Sequence, residues 1–313
     1  MYNFDRREFL KKSLATTLGF TLIKPGSTNA TPADDIDELP IPKRRLGKTG
    51  FDVSTVSLGG QSTIEQPGRR DEALEIINRA LDLGINYIDT SEAYGDGISE
   101  EYIGEVMKDR RDEVFLTTKT FERKMHTLEE ENFENSCRRL QTDYIDLYLM
   151  HNVSNMDALD SALDPDDGAV NALQRLKDKG RVGYIGLSSH STEVITEALN
   201  RVDLDCIFLT LNPAGMAMNQ SPAETRAFLK KAKEKDVGLI SMKVTGRNDL
   251  FDTGITMEKA LRYSLSAGGD QRSFPVATAA IGITEPNQLD ENVRLAKRFK
   301  AMSEEEMDEL ETV

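Results

Sequence analysis

Eight short runs of apolar and β-branched residues recur along the chain, separated by longer stretches with apolar residues at helical spacing. Each run has the length of a buried strand, and each stretch has the length of a crossover helix. Repeated units of this kind predict a parallel sheet, and eight of them are the number that closes a barrel. The sequence therefore predicts an α/β fold, a (β/α)8 TIM barrel, with strands at 53–58, 85–89, 114–119, 144–150, 182–187, 206–211, 238–243 and 277–283.

The stretches between the strands predict amphipathic helices. In the first of them, Ala73, Ile77 and Leu81 fall on one stripe, and Gly84 follows as a candidate C-cap. The helices are predicted at 71–83, 99–107, 129–140, 168–179, 192–199, 223–235, 256–266 and 287–299.

Two smaller elements accompany the barrel. Before the first strand, residues 43–51 predict a β-hairpin with Lys48-Thr49-Gly50 at its turn, and such a hairpin would plug the N-terminal end of the barrel. After the last barrel helix, Ser303 and Glu306 have the spacing of a capping box, which predicts a short acidic helix over 303–310. The predicted barrel domain is therefore 43–313.

Residues 1–30 differ in character from the rest of the chain. The pair Arg6-Arg7 precedes a mildly apolar stretch at 14–23, and small residues end the segment at Ala30. This order resembles a twin-arginine signal peptide, which predicts the Tat translocase as an export partner and a periplasmic or other extracytoplasmic location. The stretch is too short and too polar to predict a transmembrane span, and an amphipathic helix or a disordered arm is the alternative. Residues 31–42 follow as an acidic leader.

The charge of the chain narrows its partners. It carries 39 Lys and Arg against 54 Asp and Glu, a net charge of −15. Such a field disfavours nucleic acid and anionic membranes, and it requires locally placed donors for any anionic cofactor. Cys137 and Cys206 are too few for a disulfide framework or a cysteine-ligated cluster, so we predict two free thiols and no metal site. We expect a monomer.

Four polar residues stand at or just past the C-terminal ends of three consecutive predicted strands: Asp89, Tyr94, Lys119 and His151. This end of the strands is where a β/α barrel places its chemistry. Neighbouring parallel strands lie about 5 Å apart, so these side chains are predicted to meet on one rim. Taken singly, they have ordinary structural explanations: a helix cap, a loop aromatic, a rim cation and a core histidine.

Together the four groups suit proton transfer to a carbonyl. A phenol has an ordinary pKa near 10 and needs a neighbouring cation that favours the phenolate to work well at neutral pH. Lys119 is placed to be that cation, and Asp89 to keep it charged. His151 can donate a hydrogen bond to the same substrate oxygen. The set suits carbonyl reduction if another group delivers hydride.

The segments that carry these residues resemble the aldo-keto reductase superfamily. Residues 89–95 resemble its Asp-Thr-Ala-x-x-Tyr-Gly segment, Thr118-Lys119 its lysine strand and residues 143–151 its histidine strand. The resemblance covers about 45–299. It implies an NAD(P)-dependent oxidoreductase that reduces an aldehyde or ketone, or oxidises the alcohol, with Tyr94 as general acid, Lys119 and Asp89 as its tuning pair and His151 as the orienting group.

The resemblance also implies NADP or NAD across the barrel mouth. There is no Gly-x-Gly-x-x-Gly fingerprint of a Rossmann domain, and residues 282–292 resemble the family's anchor at the start of a helix. Lys243 and Arg247 are candidates for the pyrophosphate, with solvated loop cations as the alternative. The implied cofactor-binding residues are Gly60, Ser188, Ser189, Met242, Lys243, Thr245, Arg247, Gly282, Thr284, Gln288, Glu291 and Asn292.

Some positions depart from the family pattern. Gly282 and Gln288 stand where many NADP-dependent members carry Lys and Arg, so the usual donors to the 2′-phosphate are absent and NAD stays open. Ser189 replaces an asparagine and Phe208 a glutamine that usually meet the carboxamide, while Met242 replaces an aromatic stacking partner.

These departures leave rival functions open. One rival is a cofactor-binding redox sensor or regulatory barrel with little turnover, and another is an epimerase or isomerase that retains its nicotinamide. The chain contains no tryptophan and few aromatic residues, which favours a polar carbonyl such as a sugar as the substrate. Of the other histidines, His126 is expected to be solvated. His190 follows the fifth strand and is a candidate to line the substrate pocket, with a position away from the pocket as the alternative.

Overall fold

The computed structural model describes residues 38–270 and 273–312. The predicted signal peptide and most of the acidic leader lie outside these ranges. Eight parallel strands close into a barrel, which confirms the predicted (β/α)8 fold. The hairpin is also present, as β1 (Lys43–Arg45) paired antiparallel with β2 (Asp52–Ser54). The barrel strands are β3 (Val56–Ser62), β4 (Tyr87–Asp89), β5 (Phe115–Thr120), β6 (Ile145–Met150), β7 (Val182–Ser189), β8 (Cys206–Thr210), β9 (Gly238–Met242) and β10 (Val276–Ile283).

Helices surround the barrel. Consecutive strands are hydrogen-bonded neighbours, and β10 pairs with β3 to close the ring. None of the helices in the described ranges is long and apolar enough to cross a bilayer. The helices are α1 (Arg70–Asp82), α2 (Ile98–Arg110), α3 (Phe133–Leu140), α4 (Met156–Ala162), α5 (Ala169–Asp178), α6 (Thr192–Arg201), α7 (Pro222–Ala232), α8 (Met257–Ser266), α9 (Asn287–Lys297) and α10 (Glu304–Leu310).

The hairpin plugs the N-terminal end of the barrel. Leu46 is fully buried in the same apolar cluster as Phe115, whose ring lies 5.0 Å from that of Phe51. The Asn86 side chain joins the plug to the start of β4, because its oxygen accepts from the Ser54 amide at 2.7 Å. Burial of this apolar surface leaves the opposite, C-terminal end as the open face of the barrel.

The first barrel strand differs from the prediction. The predicted run at 53–58 is divided at Thr55 between β2 and β3, and β3 continues through Gly59 and Gly60. Glycine is depleted in strands, so propensity gave no reason to extend the strand. The reason is packing, because a Cβ on residue 60 would lie 2.7 Å from the Asp89 carbonyl oxygen. Only glycine therefore lets β3 and β4 approach this closely.

Other differences lie in the loops. A π-helical segment, Leu128–Asn132, precedes α3, and α4 was not predicted. The Asn155 side chain caps α4 by accepting from the Ala158 amide at 2.8 Å. The capping box that predicted α10 is confirmed. Cys137 and Cys206 are both buried free thiols, as predicted.

Candidate active site

A cavity of about 660 Å³ opens at the C-terminal ends of the barrel strands. Asp89, Tyr94 and His151 line it, and Lys119 contacts two of them from below. Asp89 ends β4 and Lys119 is the penultimate residue of β5, while Tyr94 and His151 stand on the loops that follow β4 and β6. The fold therefore brings together the four side chains that the strand-end pattern predicted to meet.

Lys119 is the centre of the polar cluster. Its side chain is fully buried, and its ammonium lies 2.7 and 2.8 Å from the two oxygens of Asp89. It also donates to the Thr90 carbonyl at 2.8 Å and to the Tyr94 hydroxyl at 3.1 Å. Burial alone would lower the pKa of Lys119, but Asp89 and Tyr94 together raise it. Lys119 is therefore a fixed, permanently charged donor at neutral pH.

Tyr94 is held as a protonated phenol. Burial raises the pKa of Tyr94 above its ordinary value, and the Lys119 ammonium opposes that rise. Lys119 favours the phenolate, as predicted, but burial has the larger effect, so the pKa of Tyr94 is raised on balance. A phenol that stays protonated beside a cation is suited to give up its proton, since the cation stabilises the phenolate that forms.

His151 is a neutral imidazole with a fixed ring plane. Burial, together with Lys119, Lys243 and other nearby groups, lowers the pKa of His151 to about 2. The ring stacks on Phe121, with centroids 4.2 Å apart, and meets Tyr94 edge to face at 5.8 Å. Its Nδ1 atom lies 2.9 Å from the Ser91 hydroxyl. A neutral imidazole can donate one hydrogen bond and accept one, so it can serve a substrate oxygen without carrying charge.

The loop that carries Phe121 is anchored by one carboxylate. Glu92 accepts hydrogen bonds from the Thr120 hydroxyl at 2.6 Å and from the Phe121 amide at 3.1 Å. Its second oxygen accepts from Asn132 at 2.9 Å. Phe121 is nevertheless among the exposed large apolar residues, so its ring forms an accessible wall of the cavity beside His151.

The cavity holds most of the predicted cofactor-binding residues. Those that line it are Gly60, Ser188, Met242, Lys243, Thr245, Arg247, Gly282, Thr284 and Gln288, together with Phe208. Ser189, Glu291 and Asn292 do not line it. Ser189 follows Ser188 in β7, and neighbouring strand residues point to opposite faces. Its hydroxyl instead accepts from the Ser191 amide at 3.0 Å, at the start of α6.

Gln288 has a specific role at the start of α9. Its side-chain oxygen accepts from the Thr284 amide at 2.9 Å, from the Thr284 hydroxyl at 3.0 Å and from the Glu285 amide at 3.3 Å. A phosphate bound at this helix start would otherwise accept hydrogen bonds from these two amides. Gly282, Thr284 and Gln288 carry no positive charge, so these three residues offer no charged donor to a 2′-phosphate.

Two cations, Lys243 and Arg247, line the cavity. Burial, then Arg247 and Lys119, lower the pKa of Lys243 to about 8. Lys243 lies 3.2 Å from His190 Nε2. His190 itself lines the cavity, which is one of the two alternatives that the sequence left open. His126 is exposed, in line with the prediction. In a chain of net charge −15, the pair Lys243 and Arg247 is a local positive site for an anion.

The cavity wall contains an unusual share of strained backbone. Five of its non-glycine residues have positive φ angles: Ser62, Asn152, Lys243, Arg247 and Asn248. Asparagine adopts this region readily, but Ser62, Lys243 and Arg247 each cost on the order of 1–3 kcal/mol there and persist only where their surroundings hold them. Strain of this kind concentrates at ligand sites, which marks the cavity independently of its side-chain chemistry.

Several site residues were not singled out from the sequence. Ser91 lies inside the segment that carries Asp89 and Tyr94, so its position was visible but its contact with His151 was not. Phe121 follows β5 directly, Asn152 lies two residues past the end of β6, and both reach the cavity through loop geometry. The only available signal was their place after strand ends.

A closed parallel barrel with a buried Lys–Asp pair, a phenol and a neutral imidazole at its mouth defines a class of barrel enzyme. The chain belongs to the aldo/keto reductase family, whose family model matches residues 55–259. It is 28% identical to the uncharacterized oxidoreductase YqkF of Bacillus subtilis (strain 168), over 86% of this chain and 95% of that protein. It is 26% identical to L-galactose dehydrogenase of Arabidopsis thaliana, over 86% and 93% of the two chains. The holo form of the aldo-keto reductase AKR11C1 from Bacillus halodurans superposes with a TM-score of 0.70, at 27% identity and with 87% and 96% of the chains covered.

Proposed function

We propose that this protein is a nicotinamide-dependent oxidoreductase that reduces a polar aldehyde or ketone, or oxidises the corresponding alcohol. The observation that carries the proposal is the contact of the buried Lys119 ammonium with both Asp89 and the Tyr94 hydroxyl. A phenol held beside a buried cation has few purely structural uses, whereas it suits a general acid that must become an anion during the reaction.

Each of the four residues has a separate role in this proposal. Tyr94 gives its proton to the carbonyl oxygen in reduction and takes it back in oxidation. Lys119 stabilises the phenolate, and Asp89 offsets the cost of burying the Lys119 charge. His151 orients the carbonyl oxygen, since its neutral ring can donate to that oxygen without competing for the proton.

The residues that line the cavity fit a nicotinamide dinucleotide, which supplies hydride when bound. Lys243 and Arg247 would hold its pyrophosphate, because they are the cations of this wall. Gly60 and Gly282 line the same cavity and present no side chain to the dinucleotide. The uncharged groups around Gln288 favour NAD over NADP, and both cofactors belong in the test.

Polar side chains in the cavity wall favour a polar substrate. Gln61, Glu65 and Asn152 line the cavity and offer hydrogen bonds to hydroxyl groups. The exposed Phe121 ring offers a flat apolar face next to His151. Hydroxyl groups with one apolar face are the features of a sugar or a small hydroxyaldehyde, and L-galactose dehydrogenase is one of the relatives of this chain.

The test combines binding and turnover. Purified protein is titrated with NADH and NADPH, then assayed on a panel of sugars, hydroxyaldehydes and apolar aldehydes by loss of nicotinamide absorbance. Tyr94→Phe is expected to lower kcat by roughly 10²- to 10⁴-fold with unchanged dinucleotide affinity. Tyr184→Phe is the matched control, because its phenol donates to the Thr49 carbonyl at the opposite end of the barrel. Tight dinucleotide binding without turnover on any carbonyl would reject the reductase and favour a regulatory barrel.

We also propose that residues 1–30 direct export by the twin-arginine route. The support is the sequence order of Arg6-Arg7, the mildly apolar stretch and Ala30. This route carries folded proteins, so a dinucleotide bound in the cytoplasm would travel with the enzyme. Arg6→Lys with Arg7→Lys should hold the full chain in the cytoplasmic fraction. Equal amounts of the wild-type protein and the double variant in the periplasm would overturn the proposal.

A further inference from the structure

The Ser91 hydroxyl lies where it can decide which nitrogen of His151 carries the proton. Ser91 is fully buried, and its oxygen lies 2.9 Å from His151 Nδ1. A neutral imidazole has two tautomers, and the hydrogen bond made at one nitrogen selects the state of the other. Because Nδ1 is hydrogen-bonded to Ser91, Nε2 is the ring nitrogen that remains available to a ligand in the cavity.

The surroundings of Ser91 indicate the direction of its hydrogen bond. Its oxygen already accepts from the Ala93 amide at 3.3 Å. Its proton has two possible acceptors, His151 Nδ1 at 2.9 Å and the Lys119 carbonyl at 3.2 Å. The Lys119 carbonyl also accepts from the Glu92 amide, so it has a partner without Ser91. His151 Nδ1 is nearer, and no backbone amide within residues 38–270 and 273–312 donates to it, which favours donation from Ser91 to Nδ1.

The ring of His151 has little freedom to escape this contact. Its amide donates to the Thr120 carbonyl at 2.8 Å, and its own carbonyl accepts from Arg123. Phe121 stacks on one side of the ring, and Tyr94 meets it edge to face. With the ring plane fixed, the position of the proton is the remaining variable.

We propose that Ser91 is a positioning residue that holds His151 as the Nε2–H tautomer, so that His151 is a hydrogen-bond donor to the substrate oxygen. The tautomer assignment stands on the geometry alone, while its use toward a carbonyl rests on the proposed function. An alanine, which the family segment has at this position, offers no hydroxyl to Nδ1. This chain therefore supplies from its own side chain a contact that an alanine cannot make.

The direct test is the tautomer itself, which does not depend on activity. The chain has three histidines, so the full-length protein labelled with ¹⁵N-histidine gives three ring systems in long-range ¹H–¹⁵N spectra. His151→Gln assigns the signal of interest. The expected result at neutral pH is a His151 ring protonated at Nε2 alone. A wild-type ring protonated at Nδ1 would overturn the proposal, whatever the outcome of the turnover assays.

Substitution completes the test. Ser91→Ala should give a mixture of tautomers or the Nδ1–H form and lower kcat/KM by about tenfold, as expected for loss of one oriented hydrogen bond of about 1.4 kcal/mol. Ser91→Cys, with a weak S–H donor of similar size, should lie between the two. Ser54→Ala is the matched control, because the buried Ser54 hydroxyl also donates to a carbonyl and accepts from an amide, at the plugged end. An unchanged His151 tautomer in folded Ser91→Ala protein would also overturn the proposal. If Ser91→Ala does not fold, the wild-type spectrum decides alone.

Discussion

Asp89→Asn should destabilise the protein by an amount that shrinks as the pH rises. The substitution keeps the size of the side chain but removes the charge that lies 2.7 Å from the fully buried Lys119 ammonium. At an effective dielectric constant of about 20, two unit charges at this distance attract by roughly 6 kcal/mol. Loss of one partner of a buried pair typically costs about 3–5 kcal/mol, because the other charge stays buried without compensation.

The ability of Lys119 to release its proton sets a ceiling on this cost. With an ordinary lysine pKa near 10.4, deprotonation at pH 7 costs about 4.6 kcal/mol, so the penalty lies between about 3 and 4.6 kcal/mol. At pH 9 the same ceiling falls to about 2 kcal/mol. In the variant the folded state would hold Lys119 neutral while the unfolded state binds the proton, so stability rises with pH by up to about 1.4 kcal/mol per unit.

The wild-type protein should show no such slope from this group. Its pKa for Lys119 is raised, so the residue stays protonated in both the folded and the unfolded state from pH 7 to 9. The measurement is the difference in free energy of unfolding between variant and wild type, by denaturant titration at pH 7, 8 and 9. Subtraction removes the other titrating groups.

An exposed ion pair provides the control for this experiment. Asp236 pairs with Arg45 at 2.9 Å, and both side chains are more than half exposed. Asp236→Asn should cost less than about 1 kcal/mol at every pH. A difference for Asp89→Asn that stays constant from pH 7 to 9 would refute the ceiling argument. A cost below about 1 kcal/mol at pH 7 would show that Lys119 is not desolvated.

Three further predictions concern other parts of the molecule. If Lys243 contacts the pyrophosphate, the bound anion raises the pKa of Lys243 above about 8. Dinucleotide affinity should then fall by up to about tenfold between pH 7 and 9, because Lys243 loses its proton in the free protein. Binding titrations of Lys243→Met should show no such pH dependence. Gly60→Ala should cost about 1–3 kcal/mol in denaturant unfolding, because its methyl group would meet the Asp89 carbonyl oxygen at 2.7 Å; a neutral effect would contradict the close approach. Arg226 is buried and pairs with Glu304, Asp308 and Glu311, so Arg226→Leu should release α10, seen as faster hydrogen exchange in that helix; unchanged exchange would show that apolar contacts alone hold it.

The alternation of strands and helices was sufficient to predict the barrel, because parallel strands buried on both faces leave a clear apolar signal. The ends of the strands were harder. β3 extends through Gly59 and Gly60, whose low strand propensity hides a requirement for close packing against Asp89. α4 depends on a cap by Asn155 within a polar loop, where periodicity is weak.

The site residues also fall into those that the sequence could place and those that it could not. Strand-end residues such as Asp89 and Lys119 could be placed from the sequence, since barrel topology fixes where strands end. Contacts that depend on loop backbones could not, and these include Ser91 with His151 and Gln288 with the Thr284 amide. For Ser188 and Ser189, strand alternation would have shown that only one of the two faces the cavity.

The hairpin at the N-terminal end of the barrel also fixes a direction for the whole molecule. The chain enters β1 at Lys43, beneath the plugged end, while the cavity opens at the opposite end. An affinity tag or a linker to a solid support that replaces the residues ahead of 38 is attached on the side facing away from the mouth. Protein immobilised through its N-terminus should therefore present its cavity to solution, and an N-terminal fusion partner should leave substrate entry unobstructed.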